Sequence, residues 1–415
     1  MPAARPLKIC LISYRTNPHS GGQGVYVKNL SGALVELGHR VDVLSGPPKI
    51  DLDTGVTLHQ PPCLDLYNPD DLFRVPSLRE LANPINVLEW IGVSTMGFPE
   101  PFTFGLRACL FLRNRLRQYD VVHDNQSLSY GIWAISRQIP TVATIHHPIT
   151  VDRNLSLRSV KPFLEKIKLL RWFSFLRMQK IVSRTFSHII TVSESAKKDI
   201  QKDYAISKKI LRVIPNGIDT KLFRPQPAVK REKARLMVTN SADIPLKGLY
   251  YLLQAVAGLK VKRRFKLVVI GSPGKNGAIE KLIHRLGLAD HVRFTGRISG
   301  EALALQYARA SLAVVPSIYE GFGIPAGEAM ACGVPVISTT GGALPEVVGD
   351  AGVLVPPADP AALLQAIEGL LDHPARALAL GRKGYERVQH HFTWQNAAQK
   401  TAAVYREAIH DYGRF

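Results

Sequence analysis

Short apolar runs alternate with amphipathic stretches along the whole chain. The first run, residues 7–13, has strand length. A glycine turn follows, Ser20-Gly-Gly-Gln-Gly24, and from Val25 to Leu37 apolar residues recur at helical spacing until Gly38 stops them. Residues 39–44 then resume as a strand. Strand, turn, helix and strand in that order predict a βαβ unit, which needs a parallel sheet. Residues 120–123, 140–145 and 188–192 are further short, β-branched runs of the same kind.

The second half repeats the pattern. Residues 236–239, 266–270, 292–295, 312–315 and 334–338 read as strands with helical segments between them. A proline-rich connection, Pro215-Asn-Gly-Ile-Asp219 and Pro225-Gln-Pro227, marks the boundary. The expectation is two Rossmann-like α/β domains, 1–219 and 220–394, with a final helix over 395–415 crossing back to the first. Open parallel sheets bind ligands at their carboxyl edges, so a cleft between two such edges is expected. Residues 49–107 fit the scheme poorly. They are rich in Pro and Asn, contain Trp90, Phe98, Phe102 and Phe104, and read as an insertion that forms an acceptor wall.

Composition changes this picture in a few respects. At 415 residues the chain is too long for one ordinary core. Its four cysteines, Cys10, Cys63, Cys109 and Cys332, show no paired spacing, which suits neither a zinc site nor a disulfide framework and fits the cytoplasm. No apolar stretch approaches the ~20 residues of a membrane span. The net charge of +20 fits an anionic partner, but it is spread over both halves, without the basic tail or recognisable module of a nucleic-acid binder.

Three places carry candidate chemistry. In the first glycine turn, Gly22 and Gly24 would let a phosphate or sugar approach backbone N–H groups at a helix start; a tight turn without ligand is the alternative. The second is Glu320-Gly-Phe-Gly-Ile-Pro-Ala-Gly-Glu328. Pro325 suits the first turn of a helix ending at Gly333, which puts Glu320 in the preceding loop and Glu328 on the first helical turn. Carboxylates accept hydrogen bonds from sugar and ribose hydroxyls, and the amides around Gly321, Phe322, Gly323 and Ile324 suit a phosphate. The third is 161–184, where Lys161, Lys166, Lys168, Arg171, Arg177, Lys180 and Arg184 interleave with Phe163, Leu164, Ile167, Leu170, Trp172 and Phe175. Such a helix either lies on an anionic membrane or buries an apolar face. Asp51-Leu-Asp53 has the spacing of a metal motif but follows Pro47-Pro48 and reads as a solvated loop.

The Glu320 to Glu328 motif, followed by Ala-Met-Ala-Cys-Gly-Val-Pro-Val-Ile, resembles the donor site of retaining GT-B glycosyltransferases, the family often called glycosyltransferase family 4. Thr191-Val-Ser-Glu194, Val213-Ile-Pro-Asn-Gly-Ile-Asp219, Gly341-Gly-Ala-Leu-Pro-Glu346 and Phe392-Thr-Trp394 also match that family's motifs, in order along the chain. The resemblance implies that Glu320 contacts donor-sugar hydroxyls and Glu328 the nucleotide ribose. It implies that Lys247, in Pro245-Leu-Lys-Gly248, neutralises the diphosphate, and that the backbone near Arg297 and Ile298 borders the base. His146 matches the family histidine beside the reacting sugar carbon; His147 is its rival, and His146 is favoured because it directly ends an apolar run. One position departs from the family. Where an Arg is usual, six residues before Lys247, this chain has Ser241, so Arg15, Arg297 or an acceptor-side cation must replace that charge or the donor is held differently.

The family implies retaining transfer from a nucleotide diphosphate sugar to a hydroxyl acceptor, with neither metal nor other cofactor. A UDP-sugar is favoured, with a GDP-sugar as the alternative. The acceptor is expected to be lipid-linked or anionic, met at the inner face of the cell membrane through 161–184, and no nucleic acid is involved. An epimerase or phosphorylase on the same fold, or a non-catalytic glycolipid-binding module, remain the competing functions.

Overall fold

The computed structural model describes residues 5–16, 22–68, 71, 74–239, 244–274 and 277–413. It separates into two compact units. The first comprises Met1–Val192, Ala196–Pro215 and Trp394–Phe415, and the second comprises Ser193–Ser195 and Asn216–Thr393.

The sheet of the first unit has seven parallel strands: β1 (Lys8–Ser13), β2 (Arg40–Ser45), β3 (Val56–His59), β4 (Val121–Asn125), β5 (Thr141–Ile145), β6 (Ile189–Thr191) and β7 (Leu211–Val213). Their order is β3-β2-β1-β4-β5-β6-β7, so the winding direction reverses between β1 and β4. The central strands are buried on both faces, so β1 is apolar over Ile9–Ile12 without alternation, while β4 turns polar at its carboxyl end with His123, Asp124 and Asn125. Ile9 and Leu11 of β1 face one layer, with Val121, Val142 and Ile190. Cys10 and Ile12 face the other, with Val122, Ala143 and Ile189.

The helix Gly22–Glu36 closes the first layer through Tyr26, Val27, Leu30, Ala33 and Leu34, a stripe at helical spacing. Beside it packs the last helix, Trp394–Tyr412, whose buried Ala397, Ala398, Ala402 and Ala408 allow close approach and whose Trp394 and Tyr405 fill the remaining space. The helix Glu100–Leu112 covers the opposite face through Phe104, Ala108 and Leu112.

Residues 49–107 are therefore not a detached insertion. They supply the edge strand β3 and the helices Pro84–Ser94 and Glu100–Leu112. Arg107 donates to Glu89 at 2.5 Å and to Asn86 at 2.6 Å, a buried polar cluster that ties the last two together. Phe98, Phe102 and Phe104 of this stretch pack into the core on the face of the sheet that the helix Glu100–Leu112 covers.

The second unit has six parallel strands: β8 (Arg235–Thr239), β9 (Lys266–Ile270), β10 (Val292–Phe294), β11 (Leu312–Val315), β12 (Val336–Thr339) and β13 (Val353–Val355). Their order is β10-β9-β8-β11-β12-β13, with the reversal between β8 and β11. Leu236, Val238, Leu267, Val269, Leu312 and Val314 pack against Leu252, Leu253 and Val256 of the helix Leu249–Lys262. A reversal of this kind leaves a crevice at the carboxyl ends of the two diverging strands.

Candidate active site

Lys247 and Glu320 follow the two strands that flank the reversal in the second unit. Lys247 closes a short turn after β8, and Glu320 lies in the loop after β11. Two close approaches fasten these loops together. Ile318 N donates to Leu246 O at 2.7 Å. Gly248, at φ 69°, passes so near the other loop that a Cβ would stand 1.9 Å from Pro316 O; only glycine meets both demands.

Lys247 Nζ then donates to Glu320 Oε1 at 2.7 Å. Ser317, which is buried, donates its hydroxyl to the same oxygen at 2.8 Å. No described residue bonds Glu320 Oε2. Behind the carboxylate, Glu320 O accepts from Ala343 N at 2.9 Å, and Gly342, at φ 61°, brings its Cα so close that a Cβ would meet that oxygen at 2.2 Å.

Pro325 lies in the first turn of the helix, as expected. Gly323, at φ 105°, is its N-cap, Ile324 is its first residue, and it runs Ile324–Ala331. Glu328 is thus the fifth helical residue, beyond the first turn, and a favourable helix dipole does not account for it. Its carboxyl is held by Tyr307, whose hydroxyl donates to Oε2 at 3.2 Å. Part of Glu328 still reaches solvent, but its carboxyl lies in dense protein, and burial pushes its pKa up to about 8. Tyr307 opposes that rise and Asp219 adds to it. Phe322 is buried, edge-on to Phe392 at 5.7 Å, and anchors the loop between the two glutamates beside Gly321.

Arg297 and Ile298 lie just past β10, at the same sheet edge. Arg297 is exposed, and Gly296 before it pairs with Gly271 after β9. Ser241 lies outside the described residues. The suggested substitute Arg15 is engaged within the first unit: its guanidinium bonds Glu100 at 2.5 and 2.9 Å.

In the first unit, Gly22 starts its helix and Gly24 is buried in the first turn; Ser20 and Gly21 lie outside the described residues. His146 directly follows β5. His146 Nε2 meets Asn125 Oδ1 at 2.8 Å, and Tyr26 stands edge-on to the ring at 4.7 Å. Burial pushes the His146 pKa down to about 3, with His147 adding to the fall. His147 instead pairs with Asp152 at 2.7 Å.

Behind His146 a second histidine is wholly buried. His123 bonds Tyr405 at 2.5 Å and Thr144 at 2.7 Å, and burial takes its pKa to about 3 as well. Ser317, Tyr307, Asn125 and Gln126 were absent from the residues singled out in the sequence. Each is a lone polar residue whose role depends on a neighbour distant in the chain, and nothing local announces it.

The segment 161–184 divides in two. The helix Leu176–Ser183 buries Leu176, Met178 and Val182, as a core helix does. The helix Phe163–Trp172 has no buried residue; Phe163 is 75% and Leu164 70% exposed, beside Lys166, Lys168 and Arg171. No helix among the described residues is long and apolar enough to cross a membrane.

Two parallel α/β sheets, each reversing its winding beside its first strand, have the architecture of a GT-B glycosyltransferase. Comparison with known proteins bears directly on this. Residues 20–222 match the model of Glycosyltransferase Family 4 and residues 221–387 that of Glycosyl transferases group 1. The chain is 45% identical over 408 residues to an MMP alpha-(1->4)-mannosyltransferase of Mycolicibacterium hassiacum, covering 97% of this chain and 98% of that protein. It is 27% identical to a D-inositol 3-phosphate glycosyltransferase of Streptomyces bingchenggensis, covering 99% and 91%. Among solved structures it resembles a sucrose-phosphate synthase from Thermosynechococcus elongatus at 27% identity and TM-score 0.73, covering 98% and 100%. The chain belongs to the family 4/group 1 glycosyltransferases, and its fold is GT-B.

Proposed function

We propose that the protein transfers a mannosyl unit from a nucleoside diphosphate mannose to the 4-hydroxyl of a saccharide acceptor, with retention at the anomeric carbon. The printed activity of the 45% identical relative supports the sugar and the linkage. The observation that carries the chemistry is the Lys247–Glu320 pair at the sheet reversal, with one carboxylate oxygen held by Lys247 and Ser317.

On this reading Glu320 Oε2 accepts hydroxyls of the donor sugar, and Lys247, already drawn to the site, neutralises the diphosphate. The acceptor oxygen bonds to the anomeric carbon as the bond from that carbon to the diphosphate oxygen breaks. The acceptor's proton passes to a phosphate oxygen of the departing diphosphate. Lys247 and the amides around Phe322 and Gly323 stabilise the negative charge that grows there, so no metal is needed for the step. Glu328 accepts the ribose hydroxyls. The exposed helix Phe163–Trp172, apolar and cationic at once, is read as a contact for an anionic membrane surface.

Replacing Glu320 by Gln keeps the shape and removes the charge. Transfer, followed as released nucleoside diphosphate, is expected to fall about 100- to 1,000-fold while the melting transition is retained. Transfer at the wild-type rate by that variant contradicts the proposal.

A further inference from the structure

The end of β4 serves His146 twice. Asn125 meets its ring, and Gln126, through its side-chain amide, spans the backbone on either side: Oε1 accepts from His146 N at 2.8 Å and Nε2 donates to His147 O at 3.0 Å. Gln126 adopts φ 59°, in the left-handed region that side chains other than glycine's disfavour. Gln179 holds it there by donating to Gln126 O at 3.0 Å.

Proton accounting fixes the ring. The Ser13 hydroxyl has one hydrogen, which it donates to Arg15 O at 2.7 Å. Toward Asn125, Ser13 is therefore an acceptor, and it receives Nδ2 at 3.1 Å. That leaves Asn125 Oδ1, which carries no hydrogen, facing His146 Nε2 at 2.8 Å. We infer that Asn125, oriented by Ser13, is a positioning residue that holds His146 as the Nε2–H tautomer and presents Nδ1 as a bare acceptor for a substrate hydroxyl. The inference rests on the reading that His146 lies at the reaction centre.

The groups around the ring agree. Tyr26 offers its ring edge to His146 and bonds Thr144 through its hydroxyl at 3.0 Å. His123 bonds Tyr405 and Thr144 and stays neutral. The nearby carboxylates are engaged elsewhere: Asp124 by Ser127 and Leu128 N, and Asp152 by His147. With no carboxylate against it, the ring stays neutral, and burial holds it so through the physiological range. A neutral ring has one acceptor nitrogen; an imidazolium has none.

The test uses the full chain labelled with 15N-histidine, the His146 signals being assigned by their loss in His146→Gln. The wild-type spectrum at pH 7 is expected to show a protonated Nε2 and an unprotonated Nδ1. A protonated Nδ1 overturns the inference, and this arm needs no other variant to fold. In Asn125→Asp, a carboxylate accepts from Nε2–H and favours the imidazolium. Transfer is expected to be at least ten-fold below wild type at pH 7 and to recover as the pH rises to 9, whereas Asn125→Ala falls by a constant factor at every pH. A flat profile for Asn125→Asp overturns the positioning role, since a merely structural defect does not titrate. Wild-type transfer by His146→Gln alongside the expected spectrum upholds the tautomer and instead refutes the placement of His146 at the reaction centre.

Discussion

The two units use one topological device with different side-chain chemistry. Each parallel sheet reverses its winding beside its first strand, and each collects polar residues at the carboxyl ends of its strands. In the second unit they include an ion pair, Lys247 against Glu320, with Glu328, whose proton is held up to about pH 8, nearby on the helix. In the first, the histidine after β5 is neutral, His146 being driven to about 3 and held by the Asn125 amide, while Arg15 after β1 is tied to Glu100. The difference follows from what each must meet on the proposed mechanism. A departing diphosphate needs a cation. A sugar carbon gaining positive charge is better served by a neutral acceptor than by an imidazolium. The fold supplies the topological reversal twice, and the side chains after its strands differ.

The sharpest way to break the contrast is to remove the cation. Lys247→Ala is expected to lower kcat/KM by about 1,000-fold, because the leaving diphosphate loses its fixed counter-charge; activity within ten-fold of wild type would place the cation elsewhere. The next effect comes from the backbone behind the carboxylate. Gly342→Ala forces a Cβ to within 2.2 Å of Glu320 O at a positive φ. A melting temperature lowered by several degrees together with lost transfer is expected in thermal unfolding and product assays, and an unchanged protein would show that this loop is not rigid.

A smaller effect concerns Glu328. Its raised pKa means that the folded protein keeps a proton there which the unfolded chain loses above the ordinary carboxylate range. This group's contribution to stability therefore declines as pH rises from about 4.5 to about 8. Ribose hydroxyls donate to the carboxylate form, so the affinity for a nucleoside diphosphate is expected to rise several-fold between pH 6.5 and 8.5. Calorimetry on Glu328→Gln should show a weaker pH dependence than wild type; identical slopes would remove Glu328 from the ribose site. Smallest in stability terms is the exposed helix. Phe163→Glu with Leu164→Glu should leave unfolding within about 0.5 kcal/mol of wild type, yet reduce co-sedimentation with vesicles containing phosphatidylserine. Equal sedimentation would reassign that helix.

Much of this was legible in the sequence, and the gaps have physical causes. The central strands announced themselves because burial on both faces demands continuous β-branched runs. The missed strands β3, β7 and β13 are three or four residues long, all three lie at sheet edges, and their partial exposure dilutes the apolar signal. Glu320 and Lys247 were found because a family motif carries them, although their mutual pairing was not. Pro325 does lie in the first helical turn, as its ring suits it to do, but the helix begins at Ile324 after Gly323 at positive φ, which leaves Glu328 one turn further along than expected. Ser317, Tyr307 and Asn125 stayed invisible because a single hydroxyl or amide has meaning only once folding brings its partner near.

The central claim is transfer from a nucleotide sugar with retention, and one experiment addresses it directly. The full chain is incubated with a nucleoside diphosphate α-mannose and a saccharide acceptor, released nucleoside diphosphate is quantified, and the new anomeric proton is read by NMR. One nucleoside diphosphate per α-mannosidic bond formed is the expected result. A β-linked product, or a product formed without stoichiometric release of the diphosphate, contradicts the account.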